Sequence, residues 1–363
     1  MNVCIIGDGL TSLSLAKNLV NQKIVVHIYH KTKKNKSFSN RTIGISKENL
    51  KFFQNKILKI EEKLLWKIDK IEIFSEKIKN DTILNFEENK NNLFSMINNN
   101  KLYEVLNKNL LKDRFFKKIS IKDDRFYKKI LKEKNYDLII NCESKNYFEK
   151  HFFYKKIVKD YKNLAYTTIF QHSPIKNKTA TQIFTKYGPI AFLPLSEKKT
   201  SVVYSVNLIK SNLSQLNIIN LIKQYNPKYS IKSFDKVNKF NLKLSNARNY
   251  YHKNIIGFGD CIHKIHPLAG QGFNMTIRDI KVISDIIKNK VSLGLQLDES
   301  ICEDFEKKTR HLNFIFSNGI DFIYEFFNIE RKNQNLDKIV KILGNNKILN
   351  NMLTKYADKG ISI

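Results

Sequence analysis

The first thirty residues constrain the fold more than any other stretch. Asn2-Val3-Cys4-Ile5-Ile6 is a short apolar, β-branched run of the kind that forms a strand buried on both faces. It ends in Gly7-Asp8-Gly9. Leu10–Val20 follows, with apolar residues at helical spacing, and Ile24–Tyr29 (IVVHIY) forms a second apolar run. Strand, glycine turn, helix and strand make a βαβ unit with the pattern G-x-G-x-x-S. Gly7 is expected to make the tight turn. Gly9 is expected to let backbone approach a pyrophosphate at the helix N-terminus, where free N–H groups and the helix dipole favour an anion. Ser12 occupies the usual third glycine position. The acid expected at the end of the second strand, for a ribose hydroxyl, is absent, and Tyr29 stands there. A tight βα turn without a ligand satisfies the same pattern.

Composition narrows the class. At about 150 residues per domain, 363 residues suggest two domains, and an apolar share of 42% is enough for a sizeable core. The net charge of +30 invites a nucleic-acid reading, but only seven of the 64 basic residues are Arg. A reader of base edges and phosphates is expected to use the planar Arg fork. Here 57 Lys and 43 Asn are spread along the whole chain, which reads as a compositional background. That argues against a nucleic-acid partner. An anionic membrane surface remains an expected attractor, at about 1 kcal/mol per nearby basic residue. No apolar run reaches the length of a membrane-spanning helix, and the N-terminus lacks a basic leader region. Cys4, Cys142, Cys261 and Cys302 form no CxxC pair, so a disulfide framework is not expected and a reducing compartment is.

The same background makes retained glycine and proline informative. Of twelve Gly, eight fall in four short segments: the N-terminal turn, the stretch around Gly44, 184–195 and 254–280. Residues 254–280 read NIIGFGDCIHKIHPLAGQGFNMTIRDI. Ile255–Gly259 reads as a strand with Asp260 at its carboxyl end, where a carboxylate can accept from sugar hydroxyls. Pro267 to Gly272 reads as a turn, and Phe273, Ile277 and Ile280 then recur at helical spacing. A helix start after such a turn can stabilise negative charge on a ring or phosphate.

This segment resembles the second flavin-binding motif of the class A FAD-dependent aromatic monooxygenases, and among them the ubiquinone-biosynthesis hydroxylases. The resemblance implies that Asp260 holds the ribityl chain. It implies that Pro267, Ala269, Gly270, Gln271, Gly272 and Asn274 form the loop beside the isoalloxazine. It also assigns the turn at Gly7, Gly9 and Ser12 to the ADP half of FAD. Arg41, in NRTIGIS, aligns with an Arg that the family keeps near FAD. Residues 184–195 (FTKYGPIAFLPL) are similar to a stretch bordering the flavin and the substrate ring. Pro189, Phe192, Pro267 and His266 are therefore expected on the substrate-ring side. The stretch from Arg310 to Gly360 resembles the helical tail of the same subfamily.

One expected motif is altered. After Tyr136–Ile140 the family has a G-A-D-G turn associated with FAD and the reduced nicotinamide. Here the residues are Asn141, Cys142, Glu143 and Ser144, with the acid kept as Glu143. A non-catalytic flavin- or lipid-binding accessory protein of the same fold is the alternative this departure raises.

The expected fold is α/β. A Rossmann-like three-layer FAD-binding domain comprises residues 1–65, 98–150 and 250–300. A mixed β-sheet substrate domain comprises 66–97 and 151–249, and a helical C-terminal region 301–363. The implied activity is hydroxylation of the aromatic ring of a polyprenylated phenol in ubiquinone biosynthesis, with FAD bound, NAD(P)H as reductant and O2 as oxygen donor. The cofactor does the hard chemistry, so no residue is assigned as acid or base. A cytoplasmic location peripheral to the inner membrane, and a place in a quinone-biosynthesis assembly, are the expectations that the lipid tail implies. Among weaker signals, His263 and His266 lack further metal-ligand spacing, so no metal is expected. WKIDKIEIF from Trp66 alternates like one strand, Asn89–Asn100 reads as a polar loop, Cys142 and Cys261 as small core residues, and 311–329 as a core helix.

Overall fold

The computed structural model describes residues 1–31, 41–76, 82–87, 92–207, 215–267 and 270–328. Ala269 and the tail beyond residue 328 lie outside the described residues.

The apolar runs at the N-terminus pair as expected. Asn2–Ile6 lies between Val25–Lys31 and Leu138–Asn141, parallel to both. Phe116–Ile121 extends the sheet beyond Val25–Lys31, and Ile255–Gly257 extends it beyond Leu138–Asn141, again in parallel. The short strand Tyr251–His252 closes that edge in antiparallel fashion. Both faces are covered, which is why the strand is apolar at every position from Val3 to Ile6 instead of alternating. Val3 and Ile5 pack with Leu13, Leu102 and Ile280 on one side, and Cys4 and Ile6 with Tyr127, Ile139 and Phe148 on the other. The first face is roofed by helices Leu10–Val20, Asn99–Leu110 and Gln271–Ser292. Ile277, Ile280, Ile283 and Ile287 of the last helix are fully buried, a spacing that puts them on one stripe.

A second, nine-stranded sheet is mostly antiparallel. Its long central strand, Lys156–His172, pairs with Lys199–Asn207 on one side and Asn238–Ala247 on the other. Gly188–Ser196 and Thr179–Thr185 continue it, and Lys70–Ser75 joins in parallel, followed by Thr82–Glu87. A third sheet of three strands holds Thr42–Ser46, Phe94–Asn98 and Trp66–Ile68. Helix Glu299–Asn328 buries Phe316, Ile320 and Tyr324 and exposes Phe314, Ile315 and Phe322.

Three local expectations are corrected. WKIDKIEIF is two strands in two sheets: it breaks at Asp69, whose N–H donates to the Lys178 carbonyl at 3.0 Å. Asn89–Asn100 is not all loop, because Phe94–Asn98 pairs with Thr42–Ser46 and the Asn98 side chain then caps helix Asn99–Leu110. The strand at Ile255 stops at Gly257, and Gly259–Cys261 is a turn of 3-10 helix.

Candidate functional site

The carboxyl ends of the parallel strands gather three turns from distant parts of the sequence. At the first, Gly7 has φ +106° and its N–H donates to the Tyr29 carbonyl at 2.8 Å. A side chain at Gly7 would lie 3.3 Å from Glu143 Cβ and 3.4 Å from Ser12 Oγ, so these three positions meet. Ser12 is buried against this turn. Gly9 precedes helix Leu10–Val20, and a Cβ built on it would have no atom within 4 Å. The helix start is therefore open to an anion.

The second turn is Asn141–Ser144. In place of glycines it uses an amide pair: Asn146 Nδ2 donates to Asn141 Oδ1 at 2.6 Å, and Asn141 Nδ2 donates to the Glu143 carbonyl at 3.1 Å. The Cys142 N–H donates to the Ile6 carbonyl at 3.0 Å. Burial pushes the Cys142 and Cys261 thiols up to about 12, which makes them neutral packing groups.

The third turn follows Ile255–Gly257. Gly259 has φ +57°, and a side chain there would lie 2.7 Å from Thr11 Cγ2 on the first helix. The third turn thus packs directly on the first turn of helix Leu10–Val20. Asp260 is exposed beside them. Burial lowers the Arg41 guanidinium and the Asp260 carboxylate opposes that shift, so the two share an electrostatic environment. Arg41 lies over the Phe240 ring at 4.4 Å.

Downstream, Gly270 takes the left-handed conformation at φ +64° and starts helix Gln271–Ser292. Gly272 is exposed with open space where a Cβ would go. Gln271 is 1% exposed, and both polar atoms of its amide lack a hydrogen-bond partner among the described residues. Asn274 departs from the expected role. It is fully buried and all its hydrogen bonds are internal: Oδ1 accepts from the Ser46 N–H at 3.0 Å and Asn49 Nδ2 at 3.1 Å, and Nδ2 donates to the Gly44 carbonyl at 2.9 Å. The Asn274 side chain therefore ties the loop to strand Thr42–Ser46.

His263 and His266 diverge. His263 Nε2 lies 2.5 Å from Asp279 Oδ2 in a buried pair, and Asn313 Nδ2 donates to the other Asp279 oxygen at 3.0 Å. His266 stacks on Tyr324 and meets the edge of Tyr161. Burial lowers the His266 imidazole to about 3, with Asp321 opposing, so the ring is neutral.

A cavity of about 640 Å³ adjoins this loop. Its wall includes His266, Pro267, Gly270 and Gly272 on one side and Ile43, Gly44 and Met96 on another. The face of the large sheet closes it through Thr167, Val203, Ala191, Gln182 and Ile73. These five are successive cross-strand partners, so one row of the sheet faces the cavity. Phe192 does not line it. It alternates to the opposite face, fully buried against Phe170 and Tyr229, in the cluster that holds Ile218 and Ile222. Pro189 is buried opposite Phe184 and lies outside the lining. Ala191 and Leu193 take the places expected of Phe192. The period-two alternation of IAFLPL carried that signal, since it puts Ile190, Phe192 and Pro194 on one face and Ala191, Leu193 and Leu195 on the other.

No protein-family model matches the chain. In sequence it is 30% identical over 153 residues to the 3-demethoxyubiquinol 3-hydroxylase of Escherichia coli strain K12. That match covers 40% of this chain and 39% of the relative. It is 27% identical over 186 residues to the mitochondrial ubiquinone biosynthesis monooxygenase COQ6 of Dictyostelium discoideum, covering 41% of this chain and 38% of that protein. The matches thus span well under half the length of these relatives. In three dimensions the likeness is nearly complete. A probable FAD-dependent monooxygenase of Pseudomonas aeruginosa, pqsL, superposes with TM-score 0.74 at 12% identity, over 94% of this chain and 99% of that one. The chain has the FAD-dependent monooxygenase fold. A Klebsiella pneumoniae HpxO variant complexed with FAD superposes equally well, with TM-score 0.74 at 11% identity, over 99% of both chains.

Proposed function

We propose that the protein is an FAD-dependent monooxygenase that hydroxylates the aromatic ring of a polyprenylated phenol in ubiquinone biosynthesis, using NAD(P)H and O2. One observation carries this reading. Ile265, His266, Pro267, Gly270, Gly272 and Phe273 border an apolar cavity of about 640 Å³, and they follow on the turn whose Gly259 packs against Thr11. In this reading a dinucleotide site and the apolar chamber share one wall. The names of the sequence relatives support the substrate class.

The residues fit FAD on their own geometry. Gly9 and Gly272 leave open space, Asp260 is exposed, and Gln271 offers a buried amide with no partner of its own among the described residues. In this reading the backbone at Gly7 and Gly9 cradles the pyrophosphate, and Asp260 accepts from ribityl hydroxyls. Arg41, Glu143 and Ser12 border the same cleft, and the helix start at Gly270–Gly272 stabilises negative charge on the ring system. Bound FAD would supply the activation of O2 that the side chains lack. Pro267 and the neutral His266 form the wall on the substrate-ring side, and the aliphatic lining excludes water around the reacting ring. A lipid-tailed substrate also implies work at a membrane surface, which 64 basic residues favour electrostatically. The proposed division of labour is an FAD part built on the parallel sheet and a substrate part built on the large mixed sheet.

The test is direct. Purified protein is expected to bind FAD stoichiometrically, and Asp260→Ala to lose it. A colourless protein that cannot be loaded with FAD refutes the reading. NAD(P)H oxidation stimulated by a prenylated phenol separates an enzyme from a flavin-binding accessory protein of the same fold.

A further inference from the structure

Two of the residues lining the large cavity carry buried polar side-chain atoms with no hydrogen-bond partner among the described residues: Thr167, through Oγ1, and His266, through both ring nitrogens. Thr167 is 6% exposed and His266 is 1% exposed. A buried hydroxyl or ring N–H is costly to leave unpaired, so each such group calls for a partner that the chain itself does not supply. The cavity wall also shows the ordinary solution. Thr42 Oγ1 donates to Ser201 Oγ at 3.0 Å, and these two lining hydroxyls satisfy each other.

Thr167 and His266 belong to the same side of the cavity. His266 meets the edge of Tyr161 and stacks on Tyr324. Tyr161, Ala165 and Tyr324 form one buried cluster. Tyr161 and Ala165 lie on strand Lys156–His172, and Thr167, two residues beyond Ala165, shares its face. The threonine hydroxyl can donate and accept. The neutral imidazole of His266 donates from one nitrogen and accepts at the other. A phenol hydroxyl, itself both donor and acceptor, matches that pair.

Elsewhere the wall is hydrocarbon. Ile68, Ile71, Phe94, Met96, Ala180 and Leu193 line the cavity and pack as one cluster. The strand of Ala180 is separated from that of Thr167 by Lys199–Asn207 and Gly188–Ser196. Three strand spacings of about 4.8 Å put the two residues' strands roughly 14 Å apart, long enough for a ring and the start of an extended apolar chain.

We infer that the cavity takes its substrate in one orientation, with the ring hydroxyl at Thr167 and His266 and the hydrocarbon chain running across the sheet to Ala180 and Met96. The inference rests on the prenylated phenol of the function proposed above and deepens it. Thr167 and His266 select the hydroxyl, and the cluster around Ala180 selects the chain.

Titration calorimetry with three probes tests this: a short-chain prenylated phenol, the same molecule without its ring hydroxyl, and the same phenol without its prenyl chain. The wild type is expected to prefer the first over both others. Thr167→Val keeps the shape of the side chain and removes the hydroxyl. It is expected to weaken the prenylated phenol by about 3- to 10-fold, the range of one hydrogen bond between neutral groups, and to leave the probe without the hydroxyl unchanged. His266→Phe keeps a ring against Tyr324 and is expected to lose the same preference. Ala180→Leu is expected to weaken the two prenylated probes and leave the chainless phenol unchanged. A Thr167→Val variant that binds all probes like the wild type overturns the inference, as does one that weakens the phenol and the hydroxyl-free probe alike. An Ala180→Leu variant that weakens the chainless phenol equally, or a wild type that binds none of the probes, also overturns it. The titrations read selectivity with or without FAD, so a protein that holds no flavin but keeps these preferences refutes the proposed function and upholds the orientation.

Discussion

Substituting Gly259 by Ala probes the contact between the turn after Ile255–Gly257 and the first turn of helix Leu10–Val20. The added methyl would lie 2.7 Å from Thr11 Cγ2 and 3.2 Å from Thr11 Oγ1, against a usual carbon separation of about 3.5–4.0 Å. Two costs follow. The left-handed backbone at φ +57° penalises any side chain by about 1 kcal/mol. Overpacking against Thr11 adds about 1–3 kcal/mol, because the neighbour sits in the first turn of a helix fixed to the sheet. Thr11→Ala removes both close atoms and leaves Cβ at 3.5 Å, an ordinary contact. That single change is expected to move stability by less than about 0.5 kcal/mol, since Ala is well tolerated in helices. The double variant should therefore recover the packing cost and keep only the backbone cost. Urea unfolding of the four proteins gives the coupling directly, and about 1–3 kcal/mol is expected. Additive effects within about 0.5 kcal/mol would refute the reasoning, because Gly259 and Thr11 would then not be in contact.

Three further outcomes are expected. Asn274→Ala removes the buried hydrogen bonds to the Gly44 carbonyl, the Ser46 N–H and the Asn49 amide, and should cost about 2–4 kcal/mol in urea unfolding while loosening the loop at Gly270. His266 is neutral in the folded protein and titrates near 6.5 when unfolded, so the unfolded state binds the extra proton as pH falls. Its contribution to stability is complete above pH 6.5 and is lost by up to about 1.4 kcal/mol per unit as pH falls toward 3; His266→Gln should show a correspondingly shallower decline between pH 7 and 5. Ala191→Phe should fill the cavity and abolish the spectral response of bound flavin to an apolar phenol, whereas Phe192→Leu should lower the melting temperature and leave that response intact.

What could be read in the sequence was local and geometric. Gly7, Gly9, Gly259 and Gly270 stand out against a glycine-poor background, and the structure holds three of the four at positive φ and leaves open space at Gly9. The parallel strands were legible because burial on both faces makes them apolar at every position, as at Val3 to Ile6. What escaped depends on partners far along the chain. Trp66–Ile68 and Lys70–Ser75 look like one alternating strand until the pairing of Asp69 with Lys178 divides them between sheets. Asn274 carries a motif position, but only the fold shows that its amide is spent on Ser46, Asn49 and Gly44. Phe192 illustrates the opposite error, in which an aromatic residue beside a glycine-proline turn draws attention while Ala191 and Leu193 face the chamber.

The central claim is that flavin chemistry on this fold places oxygen on a lipid-tailed aromatic ring. Turnover of FAD-loaded protein with NAD(P)H, a short-chain prenylated phenol and isotopically labelled O2, read by mass spectrometry of the phenol, tests it most directly. The account predicts a product with one labelled oxygen atom, formed by the wild type and absent with Asp260→Ala. Reductant consumed with no label in the ring, or labelled product formed equally well by the Asp260→Ala variant, would contradict it.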